Sequence, residues 1–214
     1  METNNNSSEQ TEREEINQPK QSRRNRREEN GFLFIWDLVK VVVIALVVII
    51  PIRYYVIQPF IVSGSSMEPT FQNGQYLIVN ELDYHLHAPQ RGDVIVFKYP
   101  LNTSEYFIKR VIGLPGEKVL ISNGKVMIYN SANPQGFILD ESYLPNGLYT
   151  EATSNQPVSL GEGEYFALGD NRPASSDSRY WGDVPANDIV GKVVLRAYPF
   201  NQFGTFSTPS YLQK

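Results

Sequence analysis

Residues 93–129 read DVIVFKYPLNTSEYFIKRVIGLPGEKVLISNGKVMIY. Four runs rich in Val, Ile and aromatic residues stand out: Asp93 to Lys98, Tyr106 to Ile112, Lys118 to Ile121 and Lys125 to Tyr129. Turn chemistry punctuates the region at Arg91-Gly92-Asp93, Leu114-Pro115-Gly116 and Asn123-Gly124. Short runs of this composition bounded by such residues read as strands, and Asn-Gly between two of them marks a hairpin. The same pattern recurs at Gln75 to Asn80, after Asn73-Gly74, and at Ile189 to Arg196. Few neighbouring stretches have helical periodicity, so the region is expected to be a mostly β, antiparallel sheet domain over residues 57–200. A segment richer in Asn, Pro, Gly and Ser, about 122–162, is expected as a smaller β insertion on that sheet. No internal repeat is visible.

Upstream the chain changes character twice. Residues 1–30 are almost wholly polar and lack the apolar periodicity a core needs, so they read as a disordered tail. An apolar run then spans residues 31–56, with Val41 to Ile50 (VVVIALVVII) at its centre. As a helix, Phe32 to Ile52 would be about 30 Å long, the thickness of a bilayer core. Asp37 and Lys40, three apart, lie on similar faces and can pair or snorkel to the interface. Trp36 at one end, and Arg53, Tyr54 and Tyr55 at the other, resemble interfacial anchors. Four arginines (Arg23, Arg24, Arg26 and Arg27) precede the run and only Arg53 follows closely. That bias predicts a single-pass cell-membrane protein, N-terminus cytoplasmic and remaining chain outside. Val62-Ser63-Gly64 loosely resembles a signal-cleavage site. The apolar run, however, exceeds a signal peptide's usual core of about 7–15 residues, which favours an uncleaved anchor.

Composition narrows the chemistry. The chain has 214 residues, a formal charge of -4 and no cysteine. The mild charge gives no footprint for nucleic acid. Without cysteine there is no disulfide framework, thiol nucleophile or cysteine-based zinc site. The two histidines, His85 and His87, fall in a polar stretch before Pro89 and read as part of a surface loop without a third ligand nearby.

Three segments do not read as packing alone. They are Ser63-Gly64-Ser65-Ser66-Met67-Glu68-Pro69-Thr70, Phe107-Ile108-Lys109-Arg110-Val111-Ile112-Gly113-Leu114-Pro115-Gly116-Glu117, and Gly169-Asp170-Asn171-Arg172-Pro173-Ala174-Ser175-Ser176-Asp177-Ser178-Arg179-Tyr180-Trp181-Gly182. Each alone fits a loop, a strand's solvent face or an Asx-rich turn. Together, in this order and behind an apolar anchor, they resemble the boxes of type I signal peptidases, membrane-bound Ser/Lys serine endopeptidases.

That resemblance implies roles. Ser66, directly before Met67, matches the nucleophile and Lys109 the general base. Ser175 matches the serine that hydrogen-bonds and orients the lysine. Asp177 with Arg179, and Asp170 with Arg110, match supporting ion pairs. Phe60, Val62, Met67, Phe107 and Ile108 would line shallow apolar pockets for the small residues, Ala-x-Ala in type, that precede the cut. The implied partners are signal peptides of exported preproteins, membrane lipid and the secretion translocon, with no cofactor, metal or nucleic acid. Physics supports the residue types. A serine hydroxyl needs a base, and a lysine serves only if burial lowers its pKa from about 10.4. Phe107 and Val111 fall on the Lys109 face of the strand, Arg110 on the other. Ser66 lies within about 35 Å of extended chain from Val56, which keeps the site near the bilayer. The Ser66 N–H would stabilise the oxyanion. Gly64 stands where some relatives place a serine that assists it, and Pro173 is not the commonest residue in its box. A noncatalytic scaffold would not need Ser66, Lys109 and Ser175 together. A self-cleaving repressor would need a DNA-binding domain upstream. Residues 201–214 are expected as a loose tail.

Overall fold

The computed structural model describes residues 33–49, 57–206, 208 and 209. The expectation for residues 1–30 lies outside them, as do parts of the expected 31–56 helix. The chain divides into two compact units, 1–51 and 52–214. In the first, residues 33–49 form a helix (α1) on which Lys40 Nζ donates to Asp37 Oδ1 at 3.1 Å. Among the described residues, no helix is long and apolar enough to cross a membrane.

The second unit is built on two antiparallel sheets. In chain order, the strands of the larger sheet are β1 (Ile57–Ile61), β2 (Tyr76–Asn80), β3 (Val94–Tyr99), β4 (Asn102–Gly113), β9 (Glu164–Leu168), β10 (Val184–Pro185), β11 (Ile189–Tyr198) and β12 (Gly204–Thr205). They lie in the order β1-β2-β11-β3-β4-β9-β10, with β12 on β11. The smaller sheet, order β7-β6-β5-β8, holds β5 (Lys118–Ser122), β6 (Lys125–Tyr129), β7 (Phe137–Ile138) and β8 (Val158–Ser159). Asn123 and Gly124 join β5 to β6, where Ser122 faces Lys125 in register. Val119, Ile121, Val126 and Ile128 alternate inward there, against Ile112, Leu160 and Phe166 at the junction of the sheets.

Three differences from the sequence reading concern the elements themselves. The second sheet starts at Lys118, a few residues before the expected insertion, because β5 pairs with β8 and β6 rather than with the main sheet. The polar stretch with both histidines contains a short helix, α2 (Asp83–Leu86). Residues 201–206 are docked rather than loose: Gly204 and Thr205 pair with Arg196 and Leu195, and the Phe206 ring packs 4.4 Å from that of Phe71. Its apolar face and the open edge of β11 explain the docking.

β4 matters most for the site. It lies between β3 and β9, with Ile95 opposite Lys109 and Leu168 opposite Arg110. Flanked on both sides there, the strand buries Lys109 and Arg110, each only 4% exposed. Such groups are tolerated only when neutralised or paired.

Candidate active site

Ser66 lies in the loop between β1 and β2. Val62 N donates to Gln75 O at 2.9 Å, and Gly74 N to Val62 O at 2.8 Å, closing the loop's base. Met67 and Phe71 are fully buried against Leu77, Val79 and Val96. Burial of two such side chains contributes about 1.5–3 kcal/mol each and pins the loop from below. Ser66, one residue before that anchor, stays half-buried at the surface. Met67 was expected in the substrate pocket; it lies in the core instead, because the turn after Ser66 directs it inward.

The 169–182 segment holds the same loop from the other side. Asn171 N donates to Ser66 O at 3.0 Å, and Asn171 Nδ2 to Ser65 O at 3.0 Å. Neither contact was assigned from sequence, although Asn171 sits inside the third motif. Gly169 is required by closeness: a Cβ there would collide with Ser175 Oγ and lie 2.5 Å from Ser66 O. Gly169→Ala is therefore expected to cost about 1–3 kcal/mol by overpacking and to displace the Ser66 backbone. Thermal melts check the stability loss.

Lys109 Nζ is 2.9 Å from Ser66 Oγ and also donates to Ile108 O at 2.9 Å. Its nitrogen lies 5.2 Å from the centre of the Phe107 ring. Burial pushes the amine down to about 8, against the upward pull of Asp177 and Asp170. Both carboxylates are otherwise engaged. Asp170 accepts from Arg110 Nε at 2.8 Å and Nη2 at 2.6 Å, and from Thr70 Oγ1 at 2.6 Å. Asp177 accepts from Arg179 Nε at 2.8 Å and Nη2 at 2.9 Å, and from Gly169 N at 3.1 Å. Each also fixes backbone: Asp177 caps helix α3 (Ser178–Trp181), and Arg110 Nη1 donates to Gly92 O at 2.9 Å. Bidentate pairing consumes much of their negative field, which leaves burial dominant at Lys109.

Ser175 is buried beside Gly169, but its hydroxyl makes no hydrogen bond among the described residues. The expected bond to Lys109 is not formed; the amine turns to Ser66 and Ile108 O. Sequence reading also missed Arg172, a fully buried cation. It pairs with Glu141 and donates to Thr150 Oγ1 at 2.7 Å, Tyr143 Oη at 3.0 Å and Gly169 O at 2.9 Å. It thus ties the loop after β7 to the strand end that carries Gly169. Only the buried position of Arg172 beside Asn171 could have hinted at this, because its partner is 31 positions away in irregular chain.

A cleft of about 410 Å³ opens beside Ser66 and Lys109, lined by Phe60, Val62, Leu77, Val96, Phe107 and Ile108 among others. Leu77 and Val96 were not anticipated there; on β2 and β3, they form its floor. Gly64, at φ +91°, sits in the left-handed region, where a side chain is strained although open space surrounds it. The Ser66 N–H donates to no described group. Among the described residues, no cluster of three or more His, Cys, Asp or Glu is arranged to hold a metal.

A hydroxyl in contact with a buried, low-pKa amine, beside an apolar cleft, is the arrangement of a nucleophile and base for acyl transfer. Comparison with known proteins identifies the family. The family model for signal peptidase, peptidase S26, matches residues 35–198. A probable signal peptidase I-1 from Synechocystis is 33% identical over 84% of this chain and 90% of its own length. A signal peptidase I from Bacillus caldolyticus is 37% identical over 75% of this chain and 90% of its own. A solved signal peptidase I from Enterococcus faecalis, 37% identical, covers 50% of this chain and 97% of that one, with a TM-score of 0.41. The chain belongs to the signal peptidase family, peptidase S26. It is a signal peptidase I, a serine peptidase that removes signal peptides from preproteins.

Proposed function

We propose that Ser66 is the nucleophile of this signal peptidase and Lys109 its general base, acting on the bond after a small residue at a membrane surface. The observation that carries this reading is the 2.9 Å contact between Lys109 Nζ and Ser66 Oγ, with the amine buried. When the amine is neutral, the Ser66 hydroxyl donates to it across that distance. As Oγ attacks the scissile carbonyl, Nζ takes its proton, and the Ser66 N–H faces the developing oxyanion. The ammonium then gives the proton to the leaving amine, forming an acyl-enzyme on Ser66. Water, deprotonated by the same Nζ, hydrolyses that ester and restores both groups.

The magnitude of the pKa shift decides whether lysine can serve. At pH 7 a free lysine is neutral about once in 2,500 molecules, whereas a pKa near 8 leaves about one in ten ready to act. Asp170, Arg110, Asp177 and Arg179 act as positioning residues through the backbone and the 169–182 turn. Ser175 packs beside Gly169 and Ser66 O and helps to hold the turn that carries them. Phe60, Val62, Phe107 and Ile108 accept the substrate's upstream side chains.

The apolar run 31–56 serves as a single membrane anchor, its arginine-rich side cytoplasmic and the catalytic domain, 57–200, on the extracytoplasmic face. Lipid, and the translocon that delivers the preprotein, are then the neighbouring partners. The substrate reading is tested with preproteins that carry Ala-x-Ala or Ala-x-Leu before the cut. The first is expected to be cleaved at the predicted bond, and the second about 100-fold more slowly, on the reading that only a small side chain is accepted directly before the cut. Equal rates would refute the small-residue requirement.

A further inference from the structure

A second cavity, of about 800 Å³, adjoins the cleft at Ser66 and is roughly twice its size. Tyr106 lines both, and its ring lies 5.6 Å from that of Phe60, so the two rings form a sill between them. The chemistry changes across this sill. The cleft on the Ser66 side is mainly aliphatic and aromatic. On the far side stand Gln58, Glu81, His85, Lys98 and Asp188.

Distances along the strands say what reaches it. From Val62 back to Gln58 on β1 is about 13 Å, and from Lys109 back to Tyr106 on β4 about 10 Å, at about 3.3 Å per residue. An extended peptide rises by the same step. If its scissile carbonyl is at Ser66 and its upstream residues fill the apolar cleft, the chain crosses the sill about four residues before the cut.

Glu81 lines the cavity, and its carboxylate carries an unmet acceptor that a rotation about its last bond would turn toward a ligand. Glu81 Oε1 is buried and has no hydrogen-bond partner among the described residues. A buried acceptor without a donor is unfavourable until one arrives. Burial also pushes the Glu81 carboxyl up, with His85 opposing in part.

We infer that this cavity is an upstream subsite for the signal peptide, taking a side chain with a hydrogen-bond donor about four to seven residues before the scissile bond, with Glu81 as its acceptor. The inference rests on the proposed placement of the upstream residues in the apolar cleft. It makes the polar segment between a signal peptide's apolar core and its cleavage site part of what the enzyme reads.

The test uses the full chain in detergent and three preproteins, identical except that positions five to seven before the cut are all Gln, all Ala or all Glu. Gln is expected to exceed Glu at least five-fold in kcat/KM, mainly through KM, with Ala between them. Glu81→Gln is expected to reduce the ratio below two-fold. Glu81→Asp, which keeps the charge but withdraws it by one methylene, is expected to give an intermediate ratio. Equal kcat/KM for the three substrates, all cut at the correct bond, would overturn the subsite while leaving the Ser66 and Lys109 reading intact. An undiminished preference in a folded Glu81→Gln would overturn the assignment to Glu81. Failure to cut any of the three would remove the underlying reading and this one with it.

Discussion

Lys109→Met is expected to reduce kcat/KM for preprotein cleavage by at least about 10³-fold and, at neutral pH, to make the protein more stable. The activity loss follows from removing the only amine in contact with Ser66 Oγ among the described residues. General-base catalysis contributes about 10²–10⁴-fold, and methionine retains neither base nor donor. The stability gain follows from linkage. In the unfolded chain a lysine titrates near 10.4; in the folded protein burial lowers Lys109 to about 8. Between these values the unfolded state binds more protons, so wild-type stability rises with pH through that window. Below about pH 8 both states are protonated and the cost of the buried charge is fully present, at most about 3 kcal/mol. Relaxation and the lost contact to Ser66 reduce the benefit of removing it to about 1–3 kcal/mol. The variant should therefore melt a few degrees above wild type at pH 7, with the difference vanishing as pH passes about 10. Calorimetry at pH 7 and pH 10 checks this. A variant less stable at pH 7 would mean that the ammonium is better solvated than its burial implies.

Ser66→Ala is expected to leave the fold and melting temperature within about 1 kcal/mol of wild type, because the side chain is half-buried and small. Cleavage should fall by about 10⁴–10⁶-fold, the range seen when a hydrolase loses its nucleophile but keeps its oxyanion donors and binding cleft. Ser63 and Ser65 cannot substitute. Both are exposed, and neither makes a described contact with Lys109. Mass spectrometry of the intact enzyme with excess substrate should reveal no acyl adduct. Retention of a tenth of the wild-type rate would move the nucleophile away from Ser66.

These expectations rest on features that differ in how far sequence reveals them. Strands β2 to β6 and β11 were legible because Val, Ile and aromatic residues alternate or cluster between Gly, Pro and Asn, and that pattern is local. β1 escaped notice because IQPFI carries a proline and directly follows an apolar run. Ser66 and Lys109 were legible as candidates from motif resemblance, and from the scarcity of other bases in a chain without cysteine. Their meeting, 43 positions apart, depends on how far β4 reaches along β3 and beneath the β1–β2 loop, which no local pattern encodes. Met67 illustrates the limit: adjacency to the nucleophile suggested a pocket wall, whereas the turn's geometry sends the side chain into the core. The Arg172–Glu141 pair and the packing of Phe206 on Phe71 join segments far apart in sequence, with Glu141 and both phenylalanines lying in irregular chain. Long-range contacts of this kind leave composition and periodicity unchanged.

The central claim is that a buried, neutral Lys109 activates Ser66. Its most direct test is the pH dependence of kcat/KM for an Ala-x-Ala preprotein, measured from pH 6 to 10 with the full chain in detergent. The account predicts a rate that rises about tenfold per pH unit at the acid end, bends near pH 8 and levels above it, with no residual curve in Lys109→Met. A rate that is flat across this range, or the same profile retained in Lys109→Met, would contradict it.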